Sequence, residues 1–169
     1  RHGALTPAER QSHWQMIRRA AGFIVRSGPV SQQDRWEEDP GYSPFTLGAE
    51  IAALLVAADD ADANGEPSVA VYLRETADAW FASLDDWMYV TGTELARDCG
   101  VDGYYVRVAQ PDQAGAASPK DGFVPIKNRP PSDSMARAAT IVSPDALALV
   151  RFGLRAADDE RIVNTVIVI

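Results

Sequence analysis

Apolar residues recur at helical spacing through the first half of the chain and predict amphipathic helices joined by loops. Two predicted helices open with a hydroxyl residue followed by proline, at Thr6-Pro7 and Ser43-Pro44, which is a combination typical of helix starts. Gly28-Pro29 should end the first helix. The predicted bounds are about residues 7–27, 44–64 and 67–87.

The second half of the chain predicts less regular structure. Residues 103–109 alternate in polarity and predict a short strand, whereas residues 110–140 are rich in Gly, Pro, Ser and Asp and predict a long loop. A fourth helix is predicted to open at Ser143-Pro144 and a fifth near the end of the chain, within 158–169. Strands and helices do not alternate, so we expect a mainly α fold with a small β-hairpin excursion.

The loop between the first two helices carries the most suggestive chemistry, in the run Asp34, Arg35, Trp36, Glu37, Glu38. A carboxylic acid donates a proton near neutral pH only if its pKa is raised, by an apolar neighbour or by a second carboxylate. Trp36 could supply the first and Glu38 the second. Glycoside hydrolysis is a reaction that uses such an acid, and an indole also offers a flat face to a sugar ring.

Two simpler interpretations of this loop stay open. The acidic run could be a solvated turn that caps the following helix. Several carboxylates in one loop could also bind calcium, although Arg35 and Trp36 occupy positions where a calcium loop needs ligands. The two histidines, His2 and His13, are too few and too far apart to predict another metal site, so we expect no metal and no cofactor.

Composition narrows the class of partner. The 169 residues hold 16 basic and 24 acidic side chains, giving a formal net charge of -8, which argues against binding to nucleic acid phosphates. No stretch is apolar and long enough to cross a bilayer, so no membrane partner is expected. The single cysteine, Cys99, is expected to be a small buried apolar residue.

Taken with its flanking residues, the loop resembles the bacterial glucoamylase and glucodextranase family of inverting glycoside hydrolases. The matching segments are Gly28-Pro29, Gln33, 35–38, 41–44 and 46–47 with the helix that follows, and then 102–109, 127–130 and 147–159. The similarity covers nearly the whole chain. It implies that the chain is part of an α/α toroid of six helix pairs, which releases glucose from the non-reducing ends of α-glucans of the starch, maltooligosaccharide or dextran type.

The resemblance also implies a role for each residue of the loop. Glu37 is implied to be the general acid, and Glu38 to hydrogen-bond the sugar in the subsite that receives the leaving group. Arg35 is implied to contact substrate mainly through its backbone, Trp36 to wall the site, and Asp34 to support it. Adjacent carboxylates cannot face each other across one bond at the roughly 6.5–9.5 Å of an inverting pair, so the base is expected elsewhere in the fold. The resemblance implies that it comes from a later loop, outside this chain.

We therefore expect residues 1–169 to be the central segment of a single catalytic domain, incomplete at both ends, whose remaining part is its partner. The segment alone should be inactive. Two alternatives remain: an α,α-trehalase-like hydrolase of the same fold, and a non-catalytic α/α carbohydrate-binding module. The location is open, with a secreted or periplasmic protein preferred over a cytoplasmic one. A second acid-aromatic run, Asp85-Asp86-Trp87, is expected to be a solvated helix end.

Overall fold

A computed structural model describes residues 6–35, 39–111, 117–127 and 129–169. The fold is mainly α, as predicted. The helices are α1 (Pro7–Ser27), α2 (Pro44–Ala63), α3 (Pro67–Met88), α4 (Glu94–Cys99), α5 (Leu147–Arg151) and α6 (Glu160–Val168). The strands are β1 (Tyr89–Thr91), β2 (Gly103–Tyr105), β3 (Phe123–Pro125) and β4 (Met135–Arg137).

Local signals set the ends of α1, as the sequence predicts. The Thr6 hydroxyl accepts from the backbone N–H of Glu9 at 3.3 Å, while the Glu9 carboxylate accepts from the Thr6 backbone N–H at 2.7 Å. This reciprocal capping box satisfies two amides that the first turn would leave unpaired. Gly28, in extended backbone, caps the other end by donating to the carbonyl of Ile24.

The described residues form two compact units. The first comprises residues 1–29 and 50–81. Its core holds Trp14, whose indole Nε1 donates to Glu66 at 2.8 Å, so the largest apolar side chain of α1 is buried with its polar atom paired. The other core residues are mostly leucine and alanine, namely Ala21, Ile51, Leu54, Ala57, Ala58, Ala61, Ala70, Leu73, Ala77 and Trp80.

The second unit comprises residues 30–49 and 82–169 and contains both antiparallel strand pairs. In one pair Tyr89 lies opposite Tyr105, and in the other Phe123 lies opposite Arg137. The first pair supports α6, since the Tyr105 backbone N–H donates to the hydroxyl of the fully buried Thr165 at 3.0 Å.

Several details differ from the sequence predictions, and one is that β3 and β4 lie within residues 110–140, where a long loop is predicted. The strand predicted over 103–109 ends at Tyr105, and the fourth helix opens as a single 3₁₀ turn, Pro144–Ala146, before α5. The short helix α4 was not predicted; Thr93 caps it by accepting from the Ala96 backbone N–H. Cys99 is only partly buried, because it lies in the last turn of this short helix. Within the described residues, no helix is both long and apolar enough to cross a membrane.

Candidate active site

The loop between α1 and α2 is closed at its base by two sets of backbone hydrogen bonds. Ser31 and Gly41 exchange both of their N–H···O bonds at 3.0 Å, and the N–H of Asp34 donates to the carbonyl of Asp39 at 2.8 Å. In the sequence, residues 35–38, called the tip below, lie between the paired residues Asp34 and Asp39. The tip carries the Arg-Trp-Glu-Glu run in which the sequence places its candidate site.

Glycine is required where the loop returns. Gly41 has φ of +153°, and a Cβ atom there would lie 2.7 Å from the carbonyl oxygen of Ala109. That close approach allows the next residue, Tyr42, to exchange both backbone hydrogen bonds with Ala109, at 2.8 and 2.9 Å. The returning arm of the loop is thus joined to the segment that follows β2. No side chain larger than hydrogen fits at Gly41 without displacing either the returning arm or the segment that follows β2.

Trp36, Glu37 and Glu38, the three central candidates, lie outside the described residues. Their predicted roles as sugar wall, general acid and leaving-group contact stay predictions. The helix-cap and calcium interpretations of the same acidic run depend on these residues too. Among the described residues there is no group of three His, Cys, Asp or Glu side chains that could hold a metal ion.

The two described candidates, Asp34 and Arg35, are adjacent at the start of the tip and contact different partners. Asp34 is 3% exposed, and its Oδ2 lies 3.4 Å from Nε of Arg107. The Arg35 guanidinium lies 3.2 Å from Oδ1 of Asp145 and 4.7 Å from the ring centre of Phe45. The supporting role predicted for Asp34 stays a prediction, and the side-chain partner of Arg35 was not predicted.

An aromatic pair lies beside the returning arm. The rings of Tyr42 and Trp87 stack with centroids 4.4 Å apart and planes inclined by 14°. Trp87, near the end of α3, is half-buried. Stacked aromatic pairs contribute about 0.5–1.5 kcal/mol beyond their buried area, so this contact holds the loop against the end of α3.

The acid at Asp85 is not the solvated helix end that the sequence predicts. Its carboxylate accepts from the Tyr105 hydroxyl at 2.5 Å, from Arg155 at 2.8 Å to both oxygens, and lies 3.1 Å from Nε of Arg161. Burial, followed by the hydrogen bond to Asp85, raises the pKa of the Tyr105 hydroxyl above its ordinary value. Asp85 therefore joins α3, β2 and the start of α6.

Glu50 is a second unpredicted acid, in the other compact unit. A Cβ atom on Gly28 would meet the Trp80 ring at 2.6 Å and Oε2 of Glu50 at 3.1 Å, so ring and carboxyl converge there. This oxygen is buried and has no hydrogen-bond partner among the described residues. Burial raises the pKa of Glu50 to about 7. No sequence signal marked it, because one glutamate on an amphipathic helix usually faces water.

Comparisons with known proteins agree on one family. The sequence pattern of "Glycosyl hydrolases family 15" matches residues 7–169. The chain is 35% identical to a glucoamylase from Clostridium sp. (strain G0005) over 155 residues, which is 91% of this chain and 20% of the relative.

A solved structure is similar as well. It is a bacterial glucoamylase complexed with acarbose, with a TM-score of 0.80 and 35% identity, covering 94% of this chain and 22% of that one. The chain spans about a fifth of the length of these relatives. The predicted resemblance and the predicted fold class, part of an α/α toroid with small antiparallel strand pairs, are both confirmed.

Proposed function

The chain belongs to glycosyl hydrolases family 15, and we propose that it carries the general-acid loop of a catalytic domain that hydrolyses α-glucosidic bonds. The proposed reaction releases glucose from the non-reducing ends of α-glucans such as starch, maltooligosaccharides or dextran. It inverts the configuration of the anomeric carbon.

The observation that carries the proposal is the closed base of the loop. Ser31 with Gly41, and Asp34 with Asp39, pin the backbone on both sides of the Arg-Trp-Glu-Glu tip. A proton donor must be held within hydrogen-bond reach of the oxygen it protonates. The paired backbone at Ser31–Gly41 and Asp34–Asp39 fixes where the chain enters and leaves residues 35–38, which supports that requirement better than an unpaired loop would.

In the proposed chemistry Glu37 gives its proton to the glycosidic oxygen as the bond from that oxygen to the anomeric carbon breaks. A base removes a proton from water, and the water oxygen bonds to the same carbon from the opposite face. One water is consumed, the leaving sugar keeps the donated proton, and the glucose is released as the β-anomer. Trp36 and Glu38 line the site beside the acid.

The base belongs to another part of the catalytic domain in this proposal, and that remaining part is the partner the chain needs. Two carboxyl groups of an inverting enzyme lie roughly 6.5–9.5 Å apart on opposite sides of the sugar. Glu37 and Glu38, as neighbours, do not meet that arrangement. Residues 1–169 alone are therefore expected to release no glucose from soluble starch.

The test uses a full-length protein that contains the chain, assayed on maltose, isomaltose, dextran and trehalose. Glucose release from the first three, with the β-anomer detected by NMR before mutarotation, is the expected result. Glu37→Gln keeps the side-chain shape and removes the transferable proton, so kcat should fall by about 10²–10⁴-fold. Glu75→Gln, on the exposed surface of α3, is the matched control and should keep wild-type turnover.

Other outcomes are informative. Turnover of trehalose alone would favour a trehalase-like activity. Binding of acarbose without turnover of any substrate would favour a carbohydrate-binding module. Wild-type turnover by Glu37→Gln would show that the acid lies elsewhere.

A further inference from the structure

Neighbouring residues at the start of the loop tip carry opposite charges and are held by two partners far along the chain. Asp34 contacts Arg107, and Arg35 contacts Asp145. The first partner follows β2, and the second lies 110 residues beyond Arg35, in the turn before α5. Two ion pairs of opposite polarity therefore lie at one end of the tip.

In the ion pair between Arg35 and Asp145, Asp145 is the more deeply buried residue. Its side chain is fully buried, whereas that of Arg35 is 42% exposed. A buried carboxylate without a cation is strongly unfavourable, because it loses hydration and gains nothing in return. The described structure gives Asp145 one cationic partner, Arg35, so the carboxylate has a strong preference for that guanidinium.

Local structure holds Asp145 in place. It lies in the 3₁₀ turn Pro144–Ala146, and its backbone N–H donates to the hydroxyl of Ser143 at 3.4 Å. The turn continues directly into α5, whose Leu149 is fully buried and packs against Gly48 of α2. Because the turn and α5 hold its backbone, the Asp145 carboxylate has a fixed position relative to Arg35.

The Arg35 guanidinium has a second contact besides Asp145. It lies over the ring of Phe45, which is in the first turn of α2 and meets Phe152 edge-on at 6.3 Å. An arginine held between a carboxylate and an aromatic face is restricted in both direction and distance. Lysine could not reproduce this arrangement, because its ammonium lacks the planar face.

We propose that Asp145 is a positioning residue for the general acid, acting through Arg35. The inference rests on the function proposed above. Two residues of extended chain reach at most about 7 Å. The position of Arg35 therefore limits where the backbone of Glu37 can lie. A misplacement of about 1 Å can lower a catalysed rate by as much as about 10²-fold.

The first test is kinetic, in the full-length protein. Asp145→Asn keeps the side-chain shape and removes its charge, so kcat on maltose should fall about 10-fold or more while KM changes by less than about 3-fold. In an Arg35→Met background the same substitution should have no further effect on kcat. The Arg35 backbone, which is the part expected to contact substrate, is unchanged in that background.

The control is a similar ion pair outside the loop. Asp60 of α2 pairs with Arg10, with side chains 5% and 38% exposed, closely matching the burial of Asp145 and Arg35. Asp60→Asn should lower the melting temperature to a similar degree and leave kcat unchanged. A purely structural role for Asp145 predicts that Asp145→Asn, like Asp60→Asn, lowers the melting temperature and leaves kcat unchanged.

The second test does not depend on activity. Trypsin cleaves after arginine only when the chain can enter its cleft, and Asp145 holds the Arg35 side chain. Asp145→Asn should therefore speed cleavage of the Arg35–Trp36 bond several-fold under native conditions, as followed by mass spectrometry. Asp60→Asn should not change the rate at this bond.

The outcomes separate the two proposals. Wild-type glucose release with unchanged kcat and unchanged cleavage in Asp145→Asn would overturn the positioning role and leave the proposed function standing. Additive effects of Asp145→Asn and Arg35→Met on kcat would also overturn it, since Asp145 would then act by another route. A wild-type protein that turns over none of the glucosides would overturn both proposals, whatever the trypsin experiment shows about the contact between Arg35 and Asp145.

Discussion

The hydroxyl of Tyr105 donates a hydrogen bond to the carboxylate of Asp85 at 2.5 Å, within a cluster that also contains Arg155 and Arg161. The four side chains come from α3, β2, the turn before α6, and α6 itself. Asp85 accepts hydrogen bonds from Tyr105 and Arg155 and forms an ion pair with Arg161, so its negative charge is compensated by two guanidinium groups.

Removing one member of this cluster should destabilise the protein. Tyr105→Phe deletes a buried hydroxyl that bonds to a charged group, and we expect the free energy of unfolding to fall by about 1.5–3 kcal/mol. Urea denaturation measures the change. Tyr72→Phe removes the hydroxyl of an exposed tyrosine and should have an effect within about 0.5 kcal/mol. Equal effects from the two variants would contradict the importance of the Asp85 contact.

Glu50 should make stability depend on pH. Its pKa is about 7 in the folded protein, against 4.5 for an ordinary glutamate. Between these values the unfolded state has lost its proton while the folded state keeps it, so the free energy of unfolding falls as pH rises from about 4.5 to 7. Allowing for solvent screening at this half-buried group, the loss is about 1–2 kcal/mol.

Glu50→Gln tests this directly. The variant cannot ionise, so relative to wild type it should gain stability above pH 7 and show a flatter profile of stability against pH. Urea unfolding at pH 5 and pH 8 gives the measurement. Glu75→Gln, at an exposed position of α3, should follow the wild-type profile at both values. A Glu50→Gln variant with the wild-type slope would mean that this carboxyl is solvated.

Gly41 and Gly65 form a matched pair for testing the loop base. Both have positive φ, +153° and +75°, but a Cβ on Gly41 would lie 2.7 Å from Ala109 whereas one on Gly65 would meet nothing within 4 Å. Alanine at Gly65 should cost about 1–2 kcal/mol from backbone strain alone. Alanine at Gly41 should cost about 1–3 kcal/mol more, because it also breaks the Tyr42–Ala109 pairing. Thermal unfolding of the two variants gives the comparison.

Trp36 and Glu38 should affect the pH profile of the full-length protein if they line the site. Trp36→Ala removes an apolar wall, which favours the charged form of a neighbouring carboxyl, so the basic limb of kcat should move to lower pH. Glu38→Gln should raise KM. Phe23→Ala, at a 63% exposed side chain of α1, is the control and should match wild type. Wild-type kinetics in both loop variants would favour the helix-cap interpretation.

Residues 1–169 alone should self-associate through an apolar surface of α5 and α6. Exposed apolar side chains line a groove there, including Leu147, Val163, Val166 and Ile167. Contiguous exposed patches of this kind promote association. The double variant Val166→Glu with Ile167→Glu should shift the mass measured by light scattering towards the monomer. Val71→Glu, at an exposed position on α3, should not shift it.

Sequence alone determined the parts of the molecule that depend on near neighbours. The start of α1 at Pro7, its capping box, its end at Ser27 and the start of α2 at Pro44 all follow from residues within one helical turn. The apolar stripes of α2 and α3 also agree with burial of Leu54 and Leu84. The resemblance carried by the loop and its flanks identified the family correctly.

Only the tertiary structure decided which charged groups meet. Asp85 contacts residues 20, 70 and 76 positions away, and Arg35 contacts one 110 positions away. No periodicity or local motif encodes such pairings, because they depend on how separate elements pack. For the same reason a solvated helix end was predicted at Asp85, and the raised pKa of Glu50 was not predicted. An acid acquires its chemistry from the groups packed around it, and those groups are rarely its neighbours in sequence.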